Sequence, residues 1–149
     1  MWTARVKTEL TLRIEELYYE AKEIVDEHWQ FHYRNNALLP PKKKARLNVW
    51  VRLRPNHRLE IYWTAFKFFK HPISGKPGVY SKYIPKGNGF RYRNKSLMIR
   101  AESWEVEKVL EVENKMAEIR AEYNCLSRAL TSLKNAEKKA AERQATNLT

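Results

Sequence analysis

The chain has 149 residues, 43% of them hydrophobic, and its 29 Lys+Arg outnumber 17 Asp+Glu to give a formal net charge of +12. That composition supports one domain with a modest core and excludes wholesale disorder, although a mean hydropathy of −0.72 implies a very polar surface. No stretch approaches the roughly 18 apolar residues of a transmembrane helix, and no membrane partner is expected. The first residues lead into charge without an apolar signal core. Cys125 has no second cysteine to pair with, which fits a reducing cytoplasm, and it is expected to be a small buried side chain.

The positive charge is concentrated. Residues 1–34 hold 5 Lys+Arg against 7 Asp+Glu and residues 101–149 hold 8 against 9, whereas residues 35–100 hold 16 against a single acid, Glu60. A general basic bias would be spread along the chain; this one marks a surface for an anionic partner.

Taken in order, residues 1–34 read as a helix. Leu10, Ile14, Leu17, Ala21, Ile24, His28 and Phe31 fall on one stripe. Asn35-Asn36 ends it and Pro40-Pro41 bars continuation. The period then changes to two. Leu47, Val49, Val51 and Leu53 alternate with polar or aromatic residues, as do Leu59, Ile61, Trp63 and Ala65 after Pro55-Asn56-His57. A three-residue turn sets Leu53 opposite Leu59, Val51 opposite Ile61, Val49 opposite Trp63, Arg52 opposite Glu60 and Trp50 opposite Tyr62. The second strand continues through Phe66–Phe69, 71–78 reads as a loop, and Val79–Ile84 as a third strand.

From Val109 to Leu133 apolar residues step by three and four through Val112, Met116, Ile119, Tyr123, Leu126 and Leu130. Leu97, Ala101 and Trp104 extend that side upstream, with Ser96 as N-cap. A helix over 96–135 would be about 60 Å long. The first helix covers about half of it, so the remainder must either meet a second copy of the chain, as a homodimer through this helix, or fray, with 136–149 read as a frayed tail. The whole is a single α+β domain over 1–149: N-terminal helix, three-stranded antiparallel sheet in the basic region 35–100, and a long coiled-coil-like helix.

The basic region mixes cations with flat rings, the chemistry of phosphate neutralisation and base stacking. Trp63 and most of the Phe residues are assigned to the core, leaving Trp50 and Tyr62 as the exposed aromatic candidates. Lys42, Lys43 and Lys44, with Arg46, form a flexible basic loop suited to phosphates. Lys82, Lys86, Arg91, Arg93 and Lys95 form a denser cluster around Gly87 and Gly89, where backbone amides can approach a phosphate. Arg52, Arg54 and Asn56 at the first hairpin's tip are the candidate readers of base edges, because a tip can enter a groove. The run from Lys86 to Arg93 departs from an RNP1 pattern at Asn88, Arg91 and Arg93, so an RNA-recognition motif is rejected.

Enzymatic readings fail on the residues. His28 and His32 share helical i, i+4 spacing, but no third ligand completes a metal site, and they read as packing residues. No phosphate loop, dinucleotide fingerprint or nucleophile elbow occurs. The acids of both helices read as solvated faces. No cofactor is expected.

With Tyr83-Ile84-Pro85-Lys86-Gly87-Asn88-Gly89-Phe90-Arg91-Tyr92, and Ser103-Trp104-Glu105-Val106-Glu107 opening the long helix, the chain resembles the MobI-type auxiliary proteins of conjugative plasmids and integrative elements. The resemblance implies an accessory factor acting at an origin of transfer beside a relaxase, without nicking of its own. Tyr18-Tyr19 is not read as a nicking pair, since no histidine cluster accompanies it; both tyrosines are expected to pack between helices. The expected partner is DNA, read as double-stranded. An acidic protein partner and single-stranded RNA are the alternatives.

Overall fold

The computed structural model describes residues 2–148. The first stripe winds α1 (Trp2–Asn36), followed by a 3-10 turn over Pro41–Lys43. Then come β1 (Leu47–Arg54), β2 (Arg58–Lys70), β3 (Pro77–Tyr83), a short α2 (Asn94–Met98) and α3 (Val106–Asn147). The sheet is antiparallel in the order β1-β2-β3. The α+β order is the expected one, and so is the first hairpin's register: Leu53↔Leu59, Val51↔Ile61, Val49↔Trp63, Arg52↔Glu60 and Trp50↔Tyr62 all pair.

One sheet face carries Leu47, Val49, Leu59, Ile61, Trp63 and Ala65 into a core shared with Ile14, Leu17, Ala21 and Val25 of α1 and Val109, Val112, Met116 and Ile119 of α3. The buried stripe of α1 drifts from the expected line after Ala21: Val25 and His32 are buried, while Ile24 and Phe31 are half-buried. A helix of 3.6 residues per turn drifts about 20° per heptad against a 3.5-residue repeat, and here the partner also changes from α3 to the edge of β1.

The long helix is two helices. The helix expected over 96–135 does not run on from Ser96; α2 ends at Met98 and α3 starts at Val106. The break is fixed by Glu105, whose buried carboxylate accepts the backbone amides of Arg46 (2.7 Å), Leu47 (3.0 Å) and Glu102 (3.3 Å). One carboxylate thus ties the turn before α3 to the start of β1. At the far end, residues 136–147, expected to fray, are helical.

α1 and α3 run antiparallel along nearly their whole lengths. Lys108–Glu27 (3.3 Å), Arg13–Glu122 (2.6 Å) and Lys7–Glu137 (2.7 Å) mark successive levels of the pair. The apolar stripe of α3 is thus covered down to Leu133 by α1, which removes the reason for expecting a second copy there. Cys125 lies on the outer side of α3 and is exposed, contrary to expectation, because it falls between the seam positions Tyr123 and Leu126. Of the adjacent tyrosines only Tyr18 packs on the core; Tyr19 is 66% exposed.

The C-terminal part of α1 straddles the outer edge of β1. His28 meets Trp63 on one sheet face (5.4 Å) and Trp29 meets Trp50 on the other (5.4 Å), so the helix shields an edge that would otherwise be a template for association. His28 and His32 are both buried, with ring centroids 4.1 Å apart. Burial, aided for His28 by its neighbour, pushes them down to about 3 and about 4 from an ordinary 6.5. Burial also pushes Glu105 up to about 7 from 4.5, against its three amide donors. The 4.0 Å approach of His32 to Glu105 is therefore not an ion pair near neutrality.

These shifts set a pH dependence. As pH falls below 6.5 the unfolded chain protonates two imidazoles that the folded chain keeps neutral, so stability present above 6.5 is lost towards pH 4. Glu105 opposes this, since its folded carboxyl takes up a proton near 7 and its unfolded one only near 4.5. Two protons on the unfolded side against one on the folded side make the net effect a loss. A thermal-melt series should show Tm falling as pH drops below 6.5 towards 4, and more steeply in Glu105→Gln, which lacks the compensating proton. A Tm that rises on acidification contradicts this.

Candidate nucleic-acid interface

The sheet face turned away from the helical core carries Trp50, Arg52, Arg54, Glu60 and Tyr62, with Arg46, Phe68 and Tyr83 at its ends. Guanidinium groups lie on rings here: Arg46 over Phe68 at 4.5 Å and Arg52 over Tyr62 at 5.3 Å. Arg52 (3.2 Å) and Arg54 (3.3 Å) both clamp Glu60. Burial would raise the Glu60 carboxyl, but these two cations hold it below its ordinary range.

The expected stacking pair is not bare. Trp50 is half-buried under Trp29 and donates its indole N–H to the Thr64 hydroxyl (2.7 Å). Tyr62 is half-buried between Arg52 and Tyr83, whose ring lies 5.9 Å away. The exposed rings are instead Phe68, Phe69, Tyr80, Tyr83 and Phe90, so the assignment of most Phe residues to the core is corrected while that of Trp63 holds. The expected reading tip is braced from one side. Asn56 is exposed, but its neighbour His57 contacts Glu15 of α1 at 3.1 Å, which docks the first hairpin on the helix.

The loop of Lys42, Lys43 and Lys44 is held rather than flexible. Trp104 donates its indole N–H to the Lys43 carbonyl (2.6 Å), Asn36 accepts the Ala45 amide (2.8 Å), and Glu105 accepts the two amides that follow. Trp104 and Glu105 thus position the first basic segment. Arg46 is tied to Glu102 at 3.4 Å.

The second basic segment is positioned from below. Tyr92 is buried; its hydroxyl accepts the Trp63 amide (3.2 Å) and donates to the Ile84 carbonyl (2.9 Å). Burial pushes that phenol up to about 12, so it remains a donor. Glu113, also buried, accepts the Tyr92 amide (2.7 Å), the Trp63 indole N–H (2.9 Å) and two bonds from Arg120 (2.8 and 3.0 Å). Arg120 in turn donates to the Phe90 carbonyl (2.8 Å) and the Ile61 carbonyl (3.2 Å). Glu105 and Glu113 are therefore buried anchors, not the solvated acids expected. Above this anchor, Lys86 donates to the carbonyls of its own glycine loop and Arg91 donates to Asn114 of α3. Lys82, Arg93 and Lys95 are exposed.

Two concavities gather the candidates. One of about 680 Å³ brings Arg52, Tyr62 and Lys86 together with Tyr83, Phe90 and Arg128. The other, about 470 Å³, joins Lys42 and Arg46 to Phe68, Phe69 and Lys70 of β2. Lys67, Lys70 and Lys76, which sequence reasoning left out, extend the basic surface along β2 and its turn. Of the sixteen cations in residues 35–100, only Arg46, Arg52 and Arg54 are paired with a carboxylate among the described residues. On the two long helices pairing is denser: of their thirteen cations, Lys7, Arg13, Lys22, Lys108, Lys115 and Arg120 are so paired among the described residues.

The family model described as MobI protein matches residues 17–134, from the middle of α1 to the last turns of the apolar seam. The chain belongs to the MobI family. The matched span contains the whole basic surface and both segments on which the sequence resembles MobI-type proteins, 83–92 and 103–107. Those two segments hold Tyr92, Trp104 and Glu105, the side chains that fix the basic loops. Membership makes this a mobilisation-related chain of an accessory, not known enzymatic, family. No curated protein and no solved structure matches it. Among the described residues no helix is long and apolar enough to cross a membrane, and no group of three or more His, Cys, Asp or Glu is placed to hold a metal.

Proposed function

We propose that this MobI-family chain is a DNA-binding accessory factor of conjugative mobilisation, acting in the cytoplasm at an origin of transfer beside a relaxase and without nicking of its own. The observation that carries the reading is the charge segregation: residues 1–34 and 101–149 together hold 13 cations against 16 acids, whereas residues 35–100 hold 16 against one, and only Arg46, Arg52 and Arg54 of those have a carboxylate partner among the described residues. Lys42, Lys43, Lys44, Lys86, Arg91, Arg93 and Lys95 supply phosphate contacts, and the anchors beneath them fix their spacing. Positioned cations favour duplex DNA, whose phosphates are regularly spaced.

The test is binding to a labelled duplex over a salt series. With the seven named cations each neutralising a phosphate, log K falls against log salt with a slope of about −6 or steeper. Single-stranded DNA and RNA as competitors report strandedness and sugar. No binding at low salt, or a flat slope, removes the proposal and leaves the acidic protein partner as the reading to pursue.

A further inference from the structure

The second hairpin is built unlike the first. The β1–β2 ladder ends at Leu47↔Ala65, with one further bond from the Phe66 N–H to the Arg46 carbonyl (2.8 Å), but β2 and β3 pair on to Lys70↔Pro77. Residues 67–70 of β2, beyond that bond, thus form a two-stranded ribbon with β3, about 14 Å long at about 3.4 Å per residue, with the 71–76 turn beyond. Residues 61–101 contain no acid, and Lys67, Lys70, Lys76 and Lys82 flank the ribbon.

The ribbon is stiffened on one face. The Phe69 ring lies so close over Gly78 that a Cβ there would sit 2.6 Å from it, and it packs on His71 (4.9 Å) and Tyr80 (5.7 Å). The turn is closed by His71 N–H to the Lys76 carbonyl (2.9 Å) and Gly75 N–H to the His71 carbonyl (2.9 Å). At its apex Ile73 is 101% exposed, a β-branched apolar side chain touching nothing, presented on a rigid basic arm.

We propose that this ribbon is a DNA-deforming arm: it enters the minor groove of a duplex, its lysines take the flanking phosphates, and Ile73 wedges into a base step and kinks the DNA. Resting on the DNA-binding reading above, it adds the mode of engagement. A lone apolar tip on an acid-free arm matches the wedge that minor-groove proteins insert between base pairs, where unstacking is offset by the extra backbone contacts of the bent duplex. The ribbon also exposes Phe68, Phe69, Val79 and Tyr80, but these stand among Lys67, Lys70, Lys76 and Lys82 with no acid between 61 and 101, a charge pattern that suits a polyanion better than an uncharged apolar surface.

The experiment is energy transfer between dyes at the two ends of a short duplex, with binding followed on the same samples. Wild-type protein is expected to shorten the end-to-end distance; Ile73→Ala should bind within about tenfold yet leave the duplex straight, and Ile73→Leu should restore the bend. Ile73 contacts no core residue, so its variants keep the fold. Lys70→Ala with Lys76→Ala should lower the salt slope by about 1.8. Wild-type binding without a bend, or a bend that survives Ile73→Ala, overturns the arm and leaves the DNA-binding proposal standing. Ile73-dependent pelleting with anionic vesicles, with no effect on DNA shape, overturns it in favour of a membrane contact. Failure of the wild type to bind any duplex removes both proposals.

Discussion

Glu113→Ala is expected to destabilise the fold by about 3–5 kcal/mol, the range for breaking a buried ion pair from one side. The carboxylate is fully buried and serves four donors: two on Arg120, the Trp63 indole and the Tyr92 amide. Removing it leaves a guanidinium buried without its counter-charge and orphans two further donors, each a penalty of about 1–3 kcal/mol if no water enters. Arg120→Met alone should also be costly, because it strands the carboxylate and frees the carbonyls of Ile61 and Phe90. The double variant Glu113→Ala with Arg120→Met should recover part of the loss but not all, since Trp63 and Tyr92 still lack an acceptor. Urea unfolding of the four proteins measures this directly. If the double variant is as unstable as the sum of the singles, the two side chains do not act as a pair. Because the network holds the loop carrying Lys86 and Arg91, DNA affinity should fall with stability.

The second large effect is on binding. Replacing Lys42, Lys43 and Lys44 together by Ala should lower the salt slope by about 2.7 and weaken duplex binding about a hundredfold near physiological salt, at about 0.9 per phosphate contact. The same three charges removed from Lys134, Lys138 and Lys139 at the end of α3 should change the slope hardly at all, although net charge falls equally. Lys42 and Lys43 are exposed on a turn held by its backbone, through Trp104 and Glu105, so their side chains can be trimmed without disturbing the fold. Equal effects from the two triple variants would mean that net charge alone, not a built surface, governs binding.

The parts of the fold that were legible in the sequence are those set by local periodicity. The register of the first hairpin follows from a three-residue turn and the single acid, since only one alignment puts Glu60 beside Arg52. The seam of α3 follows from its heptads. The break before α3 was not legible, because Leu97, Ala101 and Trp104 keep the helical spacing while the decisive bonds run from Glu105 to amides 58 and 59 residues away.

The buried carboxylates were misread for a similar reason. An acid on an amphipathic helix is ordinarily solvated, and only a tertiary acceptor role makes it otherwise. A signal did exist for Glu113: it and Arg120 are opposite charges seven residues apart, both directly after seam positions, where they border the core. For the candidate site, the composition located the surface but not its bare elements. Trp50 alternates into the outer face as read, yet Trp29 covers it from another element. The ribbon also left a trace, since the second strand outruns the first by five residues and must leave the three-stranded sheet.

The central claim is that the sheet face with its two basic loops, rather than the helices, meets DNA. Lysine reactivity mapped by mass spectrometry, with and without a saturating duplex, tests it in a single measurement. Protection is expected at Lys42, Lys43, Lys44, Lys70, Lys76, Lys86 and Lys95, while Lys22, Lys134, Lys138 and Lys139 keep their reactivity. Protection confined to the helix lysines, or an unchanged pattern at saturation, would contradict the claim.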